Sequence, residues 1–247
     1  MFKDFITSFS KINEIYKFKT YSFKRAFMYL ILLTLIFGSI QGYSKVRIMN
    51  EQFNESINTM SSWNFKIQNG NFLIEDGPRE LQINNIIVYF PEDDEAPDLD
   101  PNNVYMVIKN KNIETYINGL KTDFPVFGFE SLSKDEFLDS LRYANIIFSI
   151  FMLIFTLITF FLSKIIAAYF IAALINNSIS ARVLKYKFSD LFKLSFYIMT
   201  LAVTVQSILF ALGFDMLLSI PASVVFVFIS SLMLRMVLQY EFKLTHK

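Results

Sequence analysis

At 247 residues, 53% hydrophobic and with 29 Phe, the chain is too apolar for a single water-soluble domain. Its formal net charge of +1 hides a division, because residues 44–142 carry 17 acidic and 9 basic side chains while the remainder carries 5 and 14. The absence of cysteine excludes disulfides, thiolate catalysis and cysteine-ligated zinc or iron–sulfur sites.

In chain order, the segment 1–25 opens with FKDFITSFSKINEIYKF, which sets Phe2, Phe5, Ile6, Phe9, Ile12 and Tyr16 at helical spacing with Lys3 and Lys11 elsewhere on the wheel. It reads as an amphipathic helix, lying in the inner membrane interface or packed on a helical bundle. Six Lys/Arg in these residues precede a first apolar span at 26–43, and Gly42-Tyr43-Ser44-Lys45 is a poor signal-peptidase site, so the span is expected to stay as an anchor.

The acidic stretch 44–142 begins with a helical continuation, MNEQFNESINTM, and then turns to strand signals. WNFKIQNGNFLIE alternates on both sides of Asn69-Gly70, a dipeptide that suits a two-residue hairpin because both residues tolerate positive φ. NNIIVYF, VYMVIKN, IETYING and FPVFGF add further strands, so the reading is an α+β domain around a small antiparallel sheet. PEDDEAPDLDP, Pro91 to Pro101, becomes a loop between two of these strands. Ser133 with Glu136 forms a capping box that opens a helix with no Pro or Gly before a second span at 143–177.

Within that span, IIAAYFIAALI (165–175) either extends the helix past Lys164 or lies along the cytoplasmic face, with Ala168 and Ala172 as a close-packing seam. A basic loop follows at 178–193, then a third span at 194–213, a fourth at 216–238 and a tail at 239–247. Apolar blocks near the roughly 20 residues that cross a bilayer core define a membrane α-helical protein with about four transmembrane helices. Lys3, Lys11, Lys17, Lys19, Lys24 and Arg25, then Arg182, Lys185, Lys187 and Lys193, then Arg235, Lys243 and Lys247 all fall on one side of a four-span arrangement. The positive-inside rule makes that side cytoplasmic, with both termini, and puts 44–142 and the Gly213-Phe214-Asp215 turn outside.

Candidate sites are few. Asp98, Asp100 and Asn102 match the start of an EF-hand loop, but Asn103 stands where that loop needs glycine and Lys109 where it needs a bidentate glutamate. Asp98 and Asp100 are therefore weak metal candidates, with Glu92, Asp93, Asp94 and Glu95 as the makings of a looser calcium site. The one histidine is His246, and there is no HExxH, GxSxG, Walker or GxGxxG pattern, so no catalytic residue and no cofactor is expected. Lys164 reads as a snorkelling side chain at the cytoplasmic end of a span. In the third span Tyr197, Thr200, Thr204 and Ser207 form a polar stripe with Gln206 beside it, which either bonds across helices or lines a substrate path. Pro221, between Ser219 and Ser223, marks a kink in the fourth span, and Arg235 is expected to snorkel inward.

The order of these pieces resembles a bacterial multi-pass family built on a domain of unknown function, some of whose members carry maltodextrin-utilisation names. The resemblance rests on NFKIQNGNFLIE, NNIIVYF, NVYMVIKNKNIETYINGL, SKDEFLDSL and YKFSDLFKLSFYIMT, which together sample most of the chain. In that family the strand matching NNIIVYF tends to end in an acidic residue, whereas here Tyr89-Phe90-Pro91 follows Val88, so a shared ligand site at the strand's end is not carried over. The resemblance implies topology and, through its relatives' names, a link to sugar uptake. With the bacterial setting that the resemblance implies, the expectation is a non-enzymatic plasma-membrane protein whose external domain binds a partner or envelope ligand and whose bundle anchors or relays it. The alternative is a transporter component with the Tyr197–Ser207 stripe facing a path. Expected partners are the lipid bilayer and a protein partner or second copy in the membrane, with no nucleic acid.

Overall fold

The structure is a computed structural model that describes residues 1–68, 71–83, 86–91, 100, 103–109, 112–117, 119–125, 131–212 and 220–245. It divides into two units, Met1–Lys45 with Phe151–Lys247, and Val46–Ile150.

The first unit is helical. α1 (Phe2–Ser10) is followed by a 3₁₀ helix (Ile12–Thr20), and Ser22 then caps α2 (Phe23–Leu33) by accepting the Arg25 N–H. A π-helical stretch (Thr34–Gly38) joins α2 to α3 (Ser39–Ser61), giving 39 continuous helical residues. α4 (Lys134–Asn176) is a single helix of 43 residues, so the apolar run after Lys164 continues the same helix. α5 (Ile179–Val183), α6 (Phe188–Ala211) and α7 (Ile220–Thr245) complete the described helices. Four of these stretches are long and apolar enough to cross a membrane: Phe23–Ser61, Lys134–Asn176, Phe188–Ala211 and Val224–Thr245.

Tyr29, Leu30, Leu33, Ala168, Ile171, Ala172, Leu194 and Tyr197 lie in the core of this unit. Where α3 leaves the π-helical stretch, Gly38 and Gly42 face α4 at the four-residue spacing that lets helix backbones approach closely. A Cβ on Gly42 would stand 2.6 Å from Leu153 Cδ1, and one on Gly38 3.1 Å from Leu157 Cδ2. In α1 it is Asp4 and Ser8 that turn inward, leaving Phe2, Ile6 and Phe9 bare.

The second unit carries two sheets. β1 (Asn64–Gln68) alternates outward and inward, burying Phe65 and Ile67, and pairs with β2 (Asn71–Asp76) and with β8 (Ser131–Leu132). Gln68 pairs with Asn71, which makes Asn69-Gly70 the connection; that dipeptide lies outside the described residues. The second sheet runs β3 (Glu80–Ile83), β4 (Ile86–Tyr89), β5 (Val104–Ile108), β6 (Asn112–Ile117) and β7 (Leu120–Pro125) in that order.

The expected single, wholly antiparallel sheet is corrected in two respects: the strands form two sheets, and β4 and β5 pair in parallel. Parallel neighbours need a return connection of about a dozen residues or more, and the chain from Phe90 to Asn103, which contains the acidic stretch, supplies that length. Ile57 and Met60 of α3, Trp63, Phe65, Ile67, Leu81, Val88 and Phe90, and Phe137 and Leu138 of α4 form the core. Gly77 at φ +140° passes so near the indole that a Cβ there would lie 2.7 Å from Trp63 Cγ.

Candidate functional site

Polar groups inside the helical unit form a seam between helices, and each is placed by its helical spacing. Tyr29 of α2 stacks on Tyr197 of α6 with ring centres 4.4 Å apart, and its hydroxyl meets the Thr200 hydroxyl at 2.6 Å. Thr200 donates to the Tyr197 carbonyl, so Tyr29 is the donor in that pair. Thr204 donates to the Thr200 carbonyl. Further along, Gln41 Nε2 donates to Ser207 Oγ at 3.2 Å, and the Ser44 hydroxyl donates to the Phe210 carbonyl at 3.2 Å. The predicted stripe Tyr197, Thr200, Thr204 and Ser207 is therefore brought together along α6. Three of the four are fully buried, with Tyr29 and Gln41 of the first apolar helix as the cross-helix partners of Thr200 and Ser207.

Lys164 is a charged side chain inside α4. Its ammonium donates to Gln206 Oε1 at 2.8 Å and lies over the rings of Phe226 (4.2 Å) and Phe160 (5.0 Å), with 7% of the residue exposed. As the first of the two readings has it, α4 continues past Lys164 to Asn176, with Ala168, Ile171, Ala172 and Ile175 buried, and the Lys164 head finds an amide inside the unit. Among the described residues no carboxylate pairs with it.

At the end of the unit that holds both termini, two buried carboxylates tie the N-terminal segment down. Asp4 accepts from Arg25 Nε (3.1 Å) and Nη2 (2.9 Å), and the Arg25 guanidinium stacks on Tyr21 at 3.7 Å. Glu241 of α7 accepts from the Lys19 ammonium and the Tyr186 hydroxyl. Lys193 donates to the carbonyls of Lys19 (2.8 Å) and Tyr21 (3.1 Å). Sequence reading missed these pairs, which join residues far apart in the chain.

In the sheet unit Ser133 and Glu136 make the expected capping box: the Ser133 N–H and hydroxyl both donate to Glu136 Oε2 at 2.9 and 2.8 Å, and the Glu136 N–H donates to Ser133 Oγ at 3.3 Å. Asp98 lies outside the described residues, as do Glu92 to Glu95, and Asp100 is exposed. Among the described residues no group of three or more His, Asp or Glu side chains is placed to hold a metal ion. Ser219 lies outside the described residues, and so do the side chains of Pro221 and Ser223.

The charged cluster that sequence reading overlooked is on β5 to β7. Glu114, nearly buried, accepts from Lys121 (2.8 Å), Tyr116 (2.8 Å) and Lys109 (3.1 Å). Burial alone would raise its carboxyl, but the hydrogen bonds from Lys121, Tyr116 and Lys109 outweigh it and hold the group at about 2. A carboxyl lowered by folding adds stability that is complete above its ordinary value of 4.5 and is lost as the pH falls towards about 2. Trp63, the single tryptophan, sits in this unit's core and reports on it alone. Acid titration of Trp63 emission should show the sheet unit weakening between pH 4.5 and 2, and Glu114→Gln should flatten that limb while lowering stability at neutral pH. An unchanged acid limb would remove the role given to Glu114.

No curated protein and no solved structure matches the chain. The family model described as a protein of unknown function, DUF1189, matches residues 2–238, and the chain belongs to that family.

Proposed function

We propose that this is a non-enzymatic multi-pass protein of a bacterial plasma membrane. Its apolar helices cross the bilayer with both termini in the cytoplasm, and residues 44–142 stand outside and bind a protein partner or an envelope ligand. The helices anchor that domain or relay its state inward. The observation that carries this reading is the length of α4: 43 residues without a break include both Phe137 and Leu138 of the sheet-unit core and Ala168 and Ala172 of the helical core. A passive tether would more naturally be rich in Gly, Pro or Ser. The three clusters of Lys and Arg support the orientation.

Single cysteines are clean probes in a chain that has none. At the exposed positions Glu75 and Asp123, an impermeant maleimide should label intact cells, and at Arg182 it should label only after permeabilisation. Labelling of Arg182→Cys in intact cells would overturn the orientation.

A second reading, a transport component, is favoured by Lys164 alone, because an ionisable side chain amid apolar helices commonly marks an ion or substrate path. Lys164→Met in proteoliposomes decides it: a solute or proton flux that the substitution abolishes supports transport, and the absence of any flux in either protein removes it.

A further inference from the structure

We propose that α1 is embedded in the membrane, with its outer face, Phe2, Ile6 and Phe9, entering the acyl layer of the cytoplasmic leaflet. The inference rests on the reading that the long helices cross a bilayer with the N-terminal end inside. For a segment in water, α1 is turned inside out. Asp4 and Ser8 stand four apart and are 3% and 0% exposed, whereas Phe2, Ile6 and Phe9, within an arc of about 60° on the opposite side, are 75%, 49% and 47% exposed. In water this would be unfavourable twice, through the bare apolar arc and through the carboxylate withdrawn from solvent. Against acyl chains the arc is in its own medium, and the carboxylate stays with its partner inside the protein.

Two contacts fix the depth of α1, both within the helical unit. Asp4 accepts from Arg25, the last basic residue before the first apolar run, and the ring of Phe5, its neighbour, lies 6.1 Å from the ring of Phe37. Phe37 is about 18 Å beyond Arg25 along that helix, more than half of a hydrocarbon core of about 30 Å. A turn of helix that reaches Arg25 with one residue and Phe37 with the next lies below the level of the headgroups. At that depth the medium is hydrocarbon, and lipid covers the surface that the chain leaves bare. An ordinary interfacial helix keeps its polar face in water, whereas here that face is turned to the bundle, so the helix sinks with it.

The polar residues beside the arc agree with this placement. The Ser10 hydroxyl donates to the Ile6 carbonyl at 2.7 Å, so it carries no unmet donor into lipid. Lys3 stands at the margin of the arc, where its stem can lie along apolar surface and its ammonium reach the phosphate layer. Lys3 and Lys24, the neighbours of the paired Asp4 and Arg25, are both exposed, and among the described residues neither has a carboxylate partner. Two unpaired ammoniums beside an apolar arc suit a leaflet that carries anionic phosphates.

The test uses the full-length protein in liposomes of phosphatidylethanolamine and phosphatidylglycerol, with a nitroxide on one introduced cysteine at a time: Ile6→Cys and Phe9→Cys on the arc, Leu35→Cys in the first apolar run, where the residue is 56% exposed, and Asp123→Cys in the sheet unit. Oxygen concentrates among acyl chains and a nickel chelate stays in water, so the ratio of their collision rates reads the medium around each label. The ratio at Ile6 and Phe9 should exceed that at Asp123 about 5-fold and approach that at Leu35. With Leu35 reading lipid, a ratio at Ile6 and Phe9 no higher than at Asp123 would overturn the embedding of α1 alone. Labels there shielded from both reagents would overturn it too, since a protein partner or a second copy would then cover the arc. A ratio at Leu35 as low as that at Asp123 would instead sink the reading that the helices cross a bilayer, and the embedding with it.

Discussion

Truncating Glu241 to alanine should lower the stability of the helical unit by about 2 kcal/mol, a drop of roughly 4–8 °C in melting temperature for a chain of this size. The carboxylate is 4% exposed, and two donors depend on it, the Lys19 ammonium and the Tyr186 hydroxyl. Burial first, and then the carboxylate beside it, push the Tyr186 phenol above its ordinary range, so it stays protonated and donates. Removing the acceptor leaves a phenol and an ammonium without a partner, which costs more than the bond itself was worth. Lys19 is partly solvated and can turn to water, which keeps the cost below that of a fully buried pair. Because Lys193 still holds the carbonyls of Lys19 and Tyr21, the damage should appear as local opening of residues 12–20. Thermal melts and hydrogen exchange in nanodiscs measure both. An unchanged melting temperature with unchanged exchange at 12–20 would show that the pair is incidental.

Gly42→Ile should cost more, about 3 kcal/mol, and Gly42→Ala about 1 kcal/mol. The alanine Cβ would stand 2.6 Å from Leu153 Cδ1, the free end of a side chain that can rotate away. Isoleucine adds branches that a single rotation does not clear, and with Thr156 Cβ also 3.7 Å from the Cβ position the two helices must separate. Detergent-titration midpoints of the three proteins give the comparison. If isoleucine proves no worse than alanine, the close approach of α3 and α4 at this point is not what holds them.

The four long helices were legible because apolar runs near the length of a bilayer core are a property of the sequence alone, and most of the strands because Phe65 and Ile67 alternate with polar neighbours while Ile86 to Phe90 form a short apolar run bounded by Asn85 and Pro91. Pairing was legible at the Asn69-Gly70 hairpin, where β1 meets β2, and hardly elsewhere. β3 is four residues and β8 two, and each exists only through its neighbour in the sheet. The parallel register of β4 on β5 leaves no local pattern. Tyr197, Thr200, Thr204 and Ser207 could be picked out by spacing, yet their partners Tyr29 and Gln41 lie in another apolar run that gave no reason to match them. Gly38 and Gly42 were passed over because two small residues in a greasy stretch carry no signal until the facing helix is known. The run of helix past Lys164 was legible from the apolar residues 165–175, whereas the Gln206 amide that receives the Lys164 ammonium lies on another helix and left no local signal.

The π-helical turn at Thr34–Gly38 has a consequence for the length of the chain itself. A wide turn of this kind holds one residue more than the α-helical turn it replaces, while the helix on either side keeps its own facing. Tyr29 before it meets Thr200, and Gln41 after it meets Ser207, in one continuous rod. Elsewhere in that rod, losing a residue would rotate everything beyond it by about 100° and carry Gln41 and the two glycines off their partners. Within Thr34–Gly38 the loss of one residue relaxes the turn to ordinary α-helix and leaves both contacts in place. Relatives one residue shorter here can therefore keep the same bundle, and a gap at this point in a comparison of such sequences marks a change in winding and not a change in fold.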